Sequence, residues 1–437
     1  MSFTYKNLIK KIKTKKAKIG IVGLGYVGLP LAIRFIKKKF DVVGIDSDNS
    51  KISKLIKNKS YIDAIKKEEI NYFKNSKNKL STKLNLLKEV DIIIVCLPTP
   101  LKQNSIPDMS YVFNAAKKIS KLMDDKLLIL ESTVYPGATE EMLKVMRVDE
   151  KKIGKSLFIG YSPERENPGD KNFSYKKTPK VISGYSKFCL KLVELVYQPI
   201  IKKTYKAKNI KTAEMSKLLE NIFRSVNISL INEMKIISKY YDDVDILDVI
   251  ETASTKNFGF VKFLPGPGIG GHCIPVDPYY LSWATKRRGY DSKFIELAGN
   301  MTNYMPKWVV GKIVSFFIKK KIKLSNLLII GVSYKPDVDD DRESPAFKIM
   351  NILNQRKIKF SYHDPYFPKL RVGRSNKFNL KSVKLSPNNI KKFQATIIVT
   401  DHANIDYKVL SKNSKFIFDT RGVMRKNNIY NKRIINI

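Results

Sequence analysis

The feature that most constrains the fold is a glycine-rich turn near the start of the chain, which reads Gly23, Leu24, Gly25, Tyr26, Val27, Gly28. An apolar run over residues 18–23 leads into this turn, and helical periodicity over residues 29–39 follows it. Glycines at these spacings permit a tight turn, a close approach of the backbone to a ligand, and close packing of the helix on the strand. The pattern therefore predicts the first strand, turn and helix of a doubly wound α/β sheet.

An acidic residue, Asp46, follows the next predicted strand over residues 41–45, roughly 20 residues after the turn. An acid at this place accepts a hydrogen bond from a ribose 2′-hydroxyl and disfavours a 2′-phosphate, while the helix N-terminus faces the pyrophosphate. We predict a dinucleotide site for NAD rather than NADP, the alternative being a purely structural glycine turn. The residues predicted to contact the cofactor, three of them at the ends of later strands, are Gly23, Gly25, Tyr26, Val27, Gly28, Asp46, Pro98, Thr99 and Thr133.

Strand-like and helical segments alternate in two separate parts of the chain. The other short apolar runs that predict strands lie at residues 91–97, 126–131, 157–161, 326–331, 358–363, 395–400 and 415–419. Between the two parts, residues 207–240 carry Leu, Ile and Met at helical spacings with no Gly or Pro. We predict two Rossmann-like doubly wound domains joined by a long central helix, with divisions at residues 1–206, 207–310 and 311–437. The helix is either a homodimer interface or an ordinary core helix.

The composition is strongly basic, with a formal net charge of +42. A nucleic-acid or acidic-membrane partner is one interpretation. The lysines are spread along the chain, however, without an arginine-rich arm, a helix-turn-helix or a zinc pattern, so solvated faces are the favoured interpretation and neither nucleic acid nor a metal site is predicted. Three cysteines in 437 residues indicate a reducing compartment. With no long apolar run and no secretory cleavage site, we expect a cytoplasmic protein without membrane insertion.

The most unusual stretch is a loop over residues 263–278, which reads FLPGPGIGGHCIPVDP. Its many glycines and prolines exclude regular structure and let the backbone approach a ligand closely. Cys273 on this loop, with Asp277 nearby, is a candidate nucleophile, whereas Cys96 and Cys189 lie in apolar or helical patterns typical of inert buried cysteines. The adjacent His272 more plausibly orients the loop than serves as the base.

A thiol together with an NAD site suggests a specific reaction. A first hydride leaves an alcohol, the thiolate attacks the aldehyde, a second hydride leaves, and water hydrolyses the thioester to an acid. Such chemistry requires donors near the developing oxyanion and a general base. The alternative is a two-electron NAD hydroxyacid dehydrogenase in which Lys217 is the acid/base and Cys273 is incidental.

Five motifs occur in the order found in one known family: ESTVYPGATEE, YSPERENPGD, AEMSKLLENIFR, GPGIGGHCIPVDPYYL and YKPDVDDDRESPA. Over residues 18–422 the chain resembles the UDP-glucose/GDP-mannose dehydrogenase family, and it is most similar to the UDP-N-acetylglucosamine 6-dehydrogenases within it. The resemblance implies an NAD-binding first lobe, a UDP-binding last lobe and a dimerising helix.

The resemblance also implies roles for three residues in the chemistry. Cys273 matches the family's thiol nucleophile. Lys217 and Asn221 match the residues that stabilise the oxyanion in both oxidations, and their four-residue spacing places them on one helical face. Without the other motifs, an ordinary solvated helix face would be the preferred interpretation of these two residues.

Further roles follow from the same resemblance. Asp277 matches an acid that orients a catalytic water or the lysine, Thr133 a residue that positions this water, and Glu164 an acid implicated in thioester hydrolysis. The residues that match the family's substrate contacts are Glu164, Arg165, Lys217, Asn221, Phe263, Gly266, Gly270, Lys335 and Arg342. For Arg342 a salt bridge to one of residues 339–341 is an equal alternative.

One departure bears on the substrate. Members specific for UDP-glucose often carry a second glutamate four positions after the first, in a run like SPEFLREG, whereas this chain has Pro168 there. The PERxxPG form is similar to members that act on UDP-N-acetylhexosamines. We therefore expect oxidation of UDP-GlcNAc to UDP-N-acetylglucosaminuronate for a surface polysaccharide, with UDP-N-acetylmannosamine and then UDP-glucose as alternatives.

Overall fold

The computed structural model describes residues 2–62, 65–74, 77–102, 105–165, 178–271, 273–370, 372–373 and 376–437. The chain forms two compact units. Unit 1 comprises Met1–Glu220 and Tyr279–Tyr290, and unit 2 comprises Asn221–Pro278 and Asp291–Ile437. The three-part division at residues 206 and 310 stays a prediction.

The α-helices, in chain order, are α1 (Phe3–Lys13), α2 (Gly28–Lys37), α3 (Asn49–Ile56), α4 (Lys67–Ile70), α5 (Ser110–Ile119), α6 (Ala138–Met146), α7 (Lys187–Tyr197), α8 (Ile210–Ser238), α9 (Ile246–Ala253), α10 (Asp277–Lys286), α11 (Lys293–Lys319), α12 (Pro345–Gln355), α13 (Pro387–Ile390), α14 (Tyr407–Asn413) and α15 (Val423–Lys426). Short 3-10 turns lie at Asn71–Lys74, Leu84–Glu89, Ser120–Leu122 and Glu150–Lys152. No helix of the described residues is long and apolar enough to cross a membrane.

Unit 1 is built on an eight-stranded sheet. Its strands are β1 (Lys18–Val22), β2 (Asp41–Ile45), β3 (Lys79–Ser81), β4 (Ile92–Val95), β5 (Lys126–Leu130), β6 (Leu157–Tyr161), β7 (Lys180–Gly184) and β8 (Thr204–Lys206). The spatial order is β3-β2-β1-β4-β5-β6-β7-β8. The first six strands in that order are parallel, β7 is antiparallel to β6, and β8 is parallel to β7.

The order of this sheet confirms the predicted doubly wound fold. The chain turns back between β1 and β4, and ligands in such sheets bind beyond the carboxyl ends of the strands at this reversal. All residues of β4, β5 and β6 are buried, so both faces of the sheet are covered. This explains why these strands are continuous apolar runs in the sequence rather than alternating ones.

Unit 2 contains a second sheet of five parallel strands, in the order β10-β9-β11-β12-β13. These strands are β9 (Asn326–Ile330), β10 (Lys359–His363), β11 (Ala395–Ile398), β12 (Ile417–Asp419) and β13 (Ile434–Asn436). One core of this unit packs α11 and α12 on the sheet through Val309, Ile313, Ile349, Ile329 and Phe418. The two predicted Rossmann-like lobes are therefore both present.

The two sheets repeat one construction at the end of their first strand. Gly23 follows β1 with φ 96°, and Gly331 follows β9 with φ 83°. Each has a backbone amide that donates to the last carbonyl of the neighbouring strand, at 2.8 Å in both cases. A side chain would collide in both places, since a Cβ on Gly23 or Gly331 would lie 2.5 Å from the carbonyl oxygen of Cys96 or Thr400 respectively.

An acid completes the construction in both units. Asp46, after β2, accepts the Leu24 amide at 2.9 Å, and Asp364, after β10, accepts the Val332 amide at 2.6 Å. They differ in their further partners, because Asp364 also lies 3.0 Å from Nε2 of the fully buried His402. In unit 2 the carboxylate of the acid is therefore already paired with the imidazole of His402.

The long central helix predicted over residues 207–240 is confirmed as α8, which covers Ile210–Ser238 without interruption. A second long helix, α11, was not predicted. It continues through Pro306, a residue that normally ends a helical pattern because it lacks an amide hydrogen.

Candidate active site

The glycine-rich turn joins β1 to α2 as predicted, and its three glycines have different surroundings. A Cβ on Gly28 would lie 1.8 Å from the Gly23 carbonyl oxygen, so Gly28 is required for the helix to pack on the strand. A Cβ on Gly25 would meet no atom of the described residues within 4 Å. Tyr26 and Val27 complete the turn and are half-exposed. The open space at Gly25 fits the approach of a dinucleotide pyrophosphate to the start of α2.

The Asp46 carboxylate is fixed beside this turn and is only 7% exposed. Besides the Leu24 amide it accepts the Asp48 amide at 2.9 Å, and Lys51 Nζ lies 3.1 Å from its Oδ2. The lysine side chain is about one-third exposed, so a ribose hydroxyl can take its place. The contact of Asp46 with the cofactor stays a prediction.

Two predicted threonines meet at the neighbouring strand ends. Thr99 Oγ1 donates to the Thr133 carbonyl at 2.8 Å, and Tyr280 Oη of α10 donates to the Thr99 carbonyl at 2.6 Å. Thr99 is buried and Thr133 is half-buried, whereas Pro98, which directly precedes Thr99, is exposed. The segment after β4 is thus tied both to the segment after β5 and to α10.

Glu164 lies beside a buried charged cluster that the sequence did not lead us to expect. Lys180 Nζ is 3.2 Å from Glu131 Oε1 and 3.8 Å from Glu164 Oε2. Burial raises the pKa of Glu131, with Lys180 acting against that shift. The neighbouring Arg165 pairs with Glu220 on α8, with Nη2 to Oε1 at 2.7 Å.

On α8, Lys217 and Asn221 are four residues apart and only 8% and 5% exposed. The alternative of a solvated helix face is therefore wrong. Within unit 2, Asn221 Nδ2 donates to Asp277 Oδ2 at 2.5 Å, and the Asp277 amide donates to the Cys273 carbonyl at 2.7 Å. The carboxamide, the carboxylate and the cysteine loop are thus directly connected.

Cys273 differs from the other two cysteines by being exposed. Cys189 is buried, with its Sγ 3.4 Å from the Ile159 amide that donates to it, and burial raises the pKa of the Cys96 thiol. An exposed thiol in the turn that precedes α10 has the access that a nucleophile requires. His272 and Pro168 lie outside the described residues.

The cysteine loop is held by contacts throughout unit 2. The Gly266 amide donates to Asn232 Oδ1 at 2.9 Å, and the Gly271 amide donates to the Arg342 carbonyl at 2.9 Å. A Cβ on Gly266 would lie 2.3 Å from Nη1 of Arg421, and one on Gly270 would lie 2.8 Å from the Tyr334 side chain. The glycines therefore let other side chains press against the loop backbone.

The remaining predicted substrate residues lie around this loop or in the segment after β9. Phe263 packs edge-on against Phe223 at 6.0 Å between ring centres. Lys335 Nζ lies 5.8 Å from the centre of the Tyr334 ring. Arg342 makes the salt bridge that was the alternative to substrate binding, with its Nε 2.9 Å from Asp340 Oδ1 and its Nη2 2.6 Å from Oδ2.

Three residues of unit 2 were missed. Burial raises the pKa of Tyr334, which packs on Gly271, to about 12, with Asp340 and Cys273 adding to the shift. Burial also lowers the pKa of Arg421. Lys235 donates to the Thr420 carbonyl at 3.2 Å. Tyr334 and Arg421 lie within three residues of the ends of predicted strands, which is a usable signal, whereas Lys235 is indistinguishable in the sequence from the many other lysines.

The first unit, with its glycine turn and Asp46, and the second, with its exposed thiol on a fastened loop, define an NAD-dependent oxidoreductase with two Rossmann-like lobes. Three models of the UDP-glucose/GDP-mannose dehydrogenase family match the chain: the NAD binding domain over residues 17–201, the central domain over 211–304 and the UDP binding domain over 328–426. The chain therefore belongs to this family, and it is an NAD-dependent UDP-sugar dehydrogenase. The predicted family resemblance is confirmed.

Individual relatives cover most of the chain. The UDP-N-acetyl-D-glucosamine 6-dehydrogenase of Pseudomonas aeruginosa is 37% identical over 80% of this chain and 83% of its own. The UDP-N-acetyl-D-mannosamine dehydrogenase of Pyrococcus horikoshii is 32% identical over 94% and 96%. A solved structure of UDP-D-ManNAc dehydrogenase from Pyrococcus horikoshii matches with a TM-score of 0.82, 30% identity, and coverage of 96% and 97%.

Proposed function

We propose that this enzyme oxidises the C6 alcohol of UDP-N-acetylglucosamine to the carboxylate through a thioester on Cys273. The observation that carries the mechanism is the connection of Asn221, Asp277 and the exposed Cys273 by the hydrogen bonds described above. The bound nicotinamide cofactor supplies the hydride acceptor for each of the two oxidations. The chain itself supplies the nucleophile, the oxyanion donors and the base.

Cys273 acts between the two oxidations. Its thiolate adds to the C6 aldehyde and forms a thiohemiacetal, which keeps the aldehyde on the enzyme. Loss of the second hydride leaves a thioester. Water then adds to the thioester carbonyl, the carbon–sulfur bond breaks, and the cysteine thiolate and the uronate result.

Lys217 and Asn221 stabilise the negative oxygen that develops at C6. Their burial supports this role, because donors in a poorly hydrated site interact more strongly with an oxyanion than solvated ones do. Asp277 holds the Asn221 carboxamide in a defined orientation. Glu164 accepts a proton from the attacking water, and Thr133 positions that water.

The remaining predicted residues bind the two nucleotides. The turn from Gly23 to Gly28 and Asp46 hold the dinucleotide, together with Pro98, Thr99 and Thr133. Arg165, Phe263, Gly266, Gly270, Lys335 and Arg342 hold the UDP-sugar. The guanidinium group of Arg342 is already paired with Asp340. Its carbonyl accepts the Gly271 amide, so Arg342 also supports the cysteine loop through its main chain.

Two findings support UDP-GlcNAc as the substrate. The PERxxPG motif is typical of members that take N-acetylated sugars, and the Pseudomonas aeruginosa relative, 37% identical, is named for UDP-GlcNAc. Relatives named for UDP-N-acetylmannosamine are 32% identical and cover more of the chain, so that epimer is the second candidate. UDP-glucose is the third.

The first test measures NADH formed per mole of sugar consumed, with UDP-GlcNAc, UDP-ManNAc, UDP-glucose and GDP-mannose compared in parallel. We expect about two NADH per UDP-GlcNAc, because the covalent step couples both oxidations, and the highest kcat/KM for this sugar. Two NADH with a different preferred sugar would keep the mechanism and refute the substrate. A yield of one would favour the two-electron alternative.

The second test replaces the nucleophile. We expect Cys273→Ser to bind NAD like the wild type and to lose turnover by at least about a thousandfold, because serine lacks an accessible anion at neutral pH. Cys189→Ser is the matched control, since that thiol is buried far from solvent and should leave kcat unchanged. Normal NADH production by the Cys273 variant would refute the thioester mechanism.

A further inference from the structure

Unit 1 buries an ion pair that the mechanism above does not use. Lys180 opens β7, Glu131 follows β5, and their side chains are 8% and 0% exposed. Transferring such charges out of water costs several kcal/mol per ion, so a buried pair of this kind is poor evidence of a stabilising role. Its position beside a proposed catalytic carboxylate suggests a functional one.

The ammonium group of Lys180 is surrounded by acceptors. Its Nζ lies 3.2 Å from Glu131 Oε1 and 3.8 Å from Glu164 Oε2, and it donates to the Pro163 carbonyl at 3.4 Å. The aromatic ring of Tyr197 on α7 lies 4.9 Å away and adds a further attraction. Lys180 therefore forms an ion pair with Glu164 and a hydrogen bond with the carbonyl of Pro163, the residue before Glu164.

The cluster contains more negative than positive groups. Tyr197 donates its hydroxyl to Glu131 Oε1, while Glu131 Oε2 accepts no hydrogen bond from the part of the chain that the structure describes. Cys96 also faces the cluster from the end of β4, and Arg165 beside Glu164 is engaged with Glu220. One ammonium group thus serves two carboxylates.

The electrostatics reflect this competition. Burial alone would lower the pKa of Lys180, but the charges of Glu131 and Glu164 outweigh it and raise that pKa. Burial raises the pKa of Glu131, and the nearby Glu164 charge adds to the shift, against the effect of Lys180. Lys180 remains an ammonium group at neutral pH, and the two carboxylates share its charge.

We propose that Lys180 is a positioning residue that holds the Glu164 carboxylate in the orientation required for thioester hydrolysis, while Glu131 competes for the same ammonium group. This inference rests on the proposed function, because it needs Glu164 to be the base. In the hydrolysis step the water oxygen bonds to the thioester carbon and one water proton passes to Glu164. The carbon–sulfur bond then breaks, and its electron pair leaves with the Cys273 sulfur as the thiolate. Lys180 touches neither water nor substrate.

The proposal predicts different results for two substitutions. Lys180→Met removes the ammonium group that orients Glu164, so thioester hydrolysis should slow and kcat should fall by about tenfold while KM stays unchanged. Glu131→Gln leaves the ammonium group to Glu164 alone, so kcat should not fall. Lys180→Arg, which keeps the charge, should restore most of the wild-type kcat.

A matched control is available in the same sheet. Lys126 opens β5, is 9% exposed, and donates to the Lys88 carbonyl at 3.0 Å. Lys126→Met makes the same chemical change in a strand of the same sheet, and we expect kcat to stay at the wild-type value. Quenched samples analysed by intact-protein mass spectrometry should show more covalent adduct for Lys180→Met than for either Lys126→Met or the wild type.

The outcomes separate this inference from the proposed function. Wild type that releases one NADH per sugar refutes the thioester route and this role with it. Wild type that releases two NADH, with equal kcat and equal covalent adduct for wild type and Lys180→Met, refutes the role of Lys180 alone. An equal loss of kcat in Lys180→Met and Lys180→Arg also refutes it. If Lys180→Met does not fold, a loss of kcat in Glu131→Gln decides against the proposal.

Discussion

At the scale of single residues, the least expected feature is a lysine buried inside unit 2. Lys235 is 4% exposed, and its amine donates to the Thr420 carbonyl. Burial lowers the pKa of Lys235 to about 7, with Arg421 and Lys239 acting in the same direction and Asp419 against it. Near neutral pH this side chain is therefore partly uncharged, unlike the solvated lysines of the chain.

A depressed lysine pKa makes stability depend on pH in a known direction. Between about 7 and 10.5 the folded protein binds fewer protons at Lys235 than the unfolded chain does, so this residue's contribution to the unfolding free energy rises with pH through that window. It is most unfavourable below about pH 7, where the folded protein must hold a buried charge.

The prediction compares wild type with Lys235→Met by urea unfolding at pH 6 and pH 9. The unfolding free energy of the wild type should rise relative to the variant by about 2 kcal/mol between these pH values. The comparison between variants cancels the many other titrating groups. A difference that is the same at both pH values would show that Lys235 keeps an ordinary proton affinity in the folded protein.

At the scale of elements, the glycine-rich turn separates residues that the sequence pattern treats alike. Gly28 has no room for a side chain because of the Gly23 carbonyl, whereas Gly25 faces open space. Gly28 therefore serves helix packing, and we propose that Gly25 serves the approach of the cofactor. The two roles can be tested independently, since only one of them requires the cofactor.

We expect Gly25→Ala to unfold at the wild-type temperature and to bind NAD about tenfold more weakly, a loss of ~1.4 kcal/mol. Gly28→Ala should lower the unfolding free energy by about 2 kcal/mol, because the turn and α2 must move apart. Thermal unfolding and titration calorimetry measure the two effects. Unchanged NAD affinity in Gly25→Ala would place the pyrophosphate elsewhere.

Strands that are buried on both faces could be predicted from the sequence. Because both faces of β4 and β5 are buried, these strands are continuous apolar runs in the sequence. The strands β3, β8 and β13 have three residues each and were missed, because so short a pattern carries no periodicity. β7 was missed although four of its five residues are buried.

The candidate site shows the same division. Cys273 and the glycine turn could be predicted because their loops have unusual composition. The pairing of Lys180 with Glu131, 49 positions away in the sequence (180 − 131), and of Lys235 with Thr420, 185 positions away, could not. Such contacts arise only when the sheets bring distant strand ends together, and no local pattern encodes them.

At the scale of the whole molecule, the main feature is a stripe of exposed apolar side chains along α8. Its exposed apolar residues, between 37% and 64% accessible, are Met215, Leu219, Phe223, Leu230, Met234 and Ile237. At about 100° per residue they fall within one sector roughly 100° wide. A helix face of this kind is typical of an interface, which supports the proposed homodimer through α8.

The dimer is tested by a charge on this stripe. We expect wild type to be a dimer at micromolar concentration by light scattering, and Leu230→Asp to weaken association by at least about tenfold, because a buried carboxylate would be unpaired. Ile318→Asp on α11 is the matched control, as that side chain is 69% exposed and outside the stripe. A monomeric wild type would count against the interface.

Asp46 and Asp364 hold equivalent positions in the two units but have different partners. Both units contain the same succession of strand, positive-φ glycine and acid. In unit 2 the buried imidazole of His402 lies 3.0 Å from the acid, whereas in unit 1 the acid pairs with Lys51, whose side chain is about one-third exposed. Likeness of backbone is therefore no guide to the ligand, because a buried imidazole is harder to displace from a carboxylate than a partly exposed lysine.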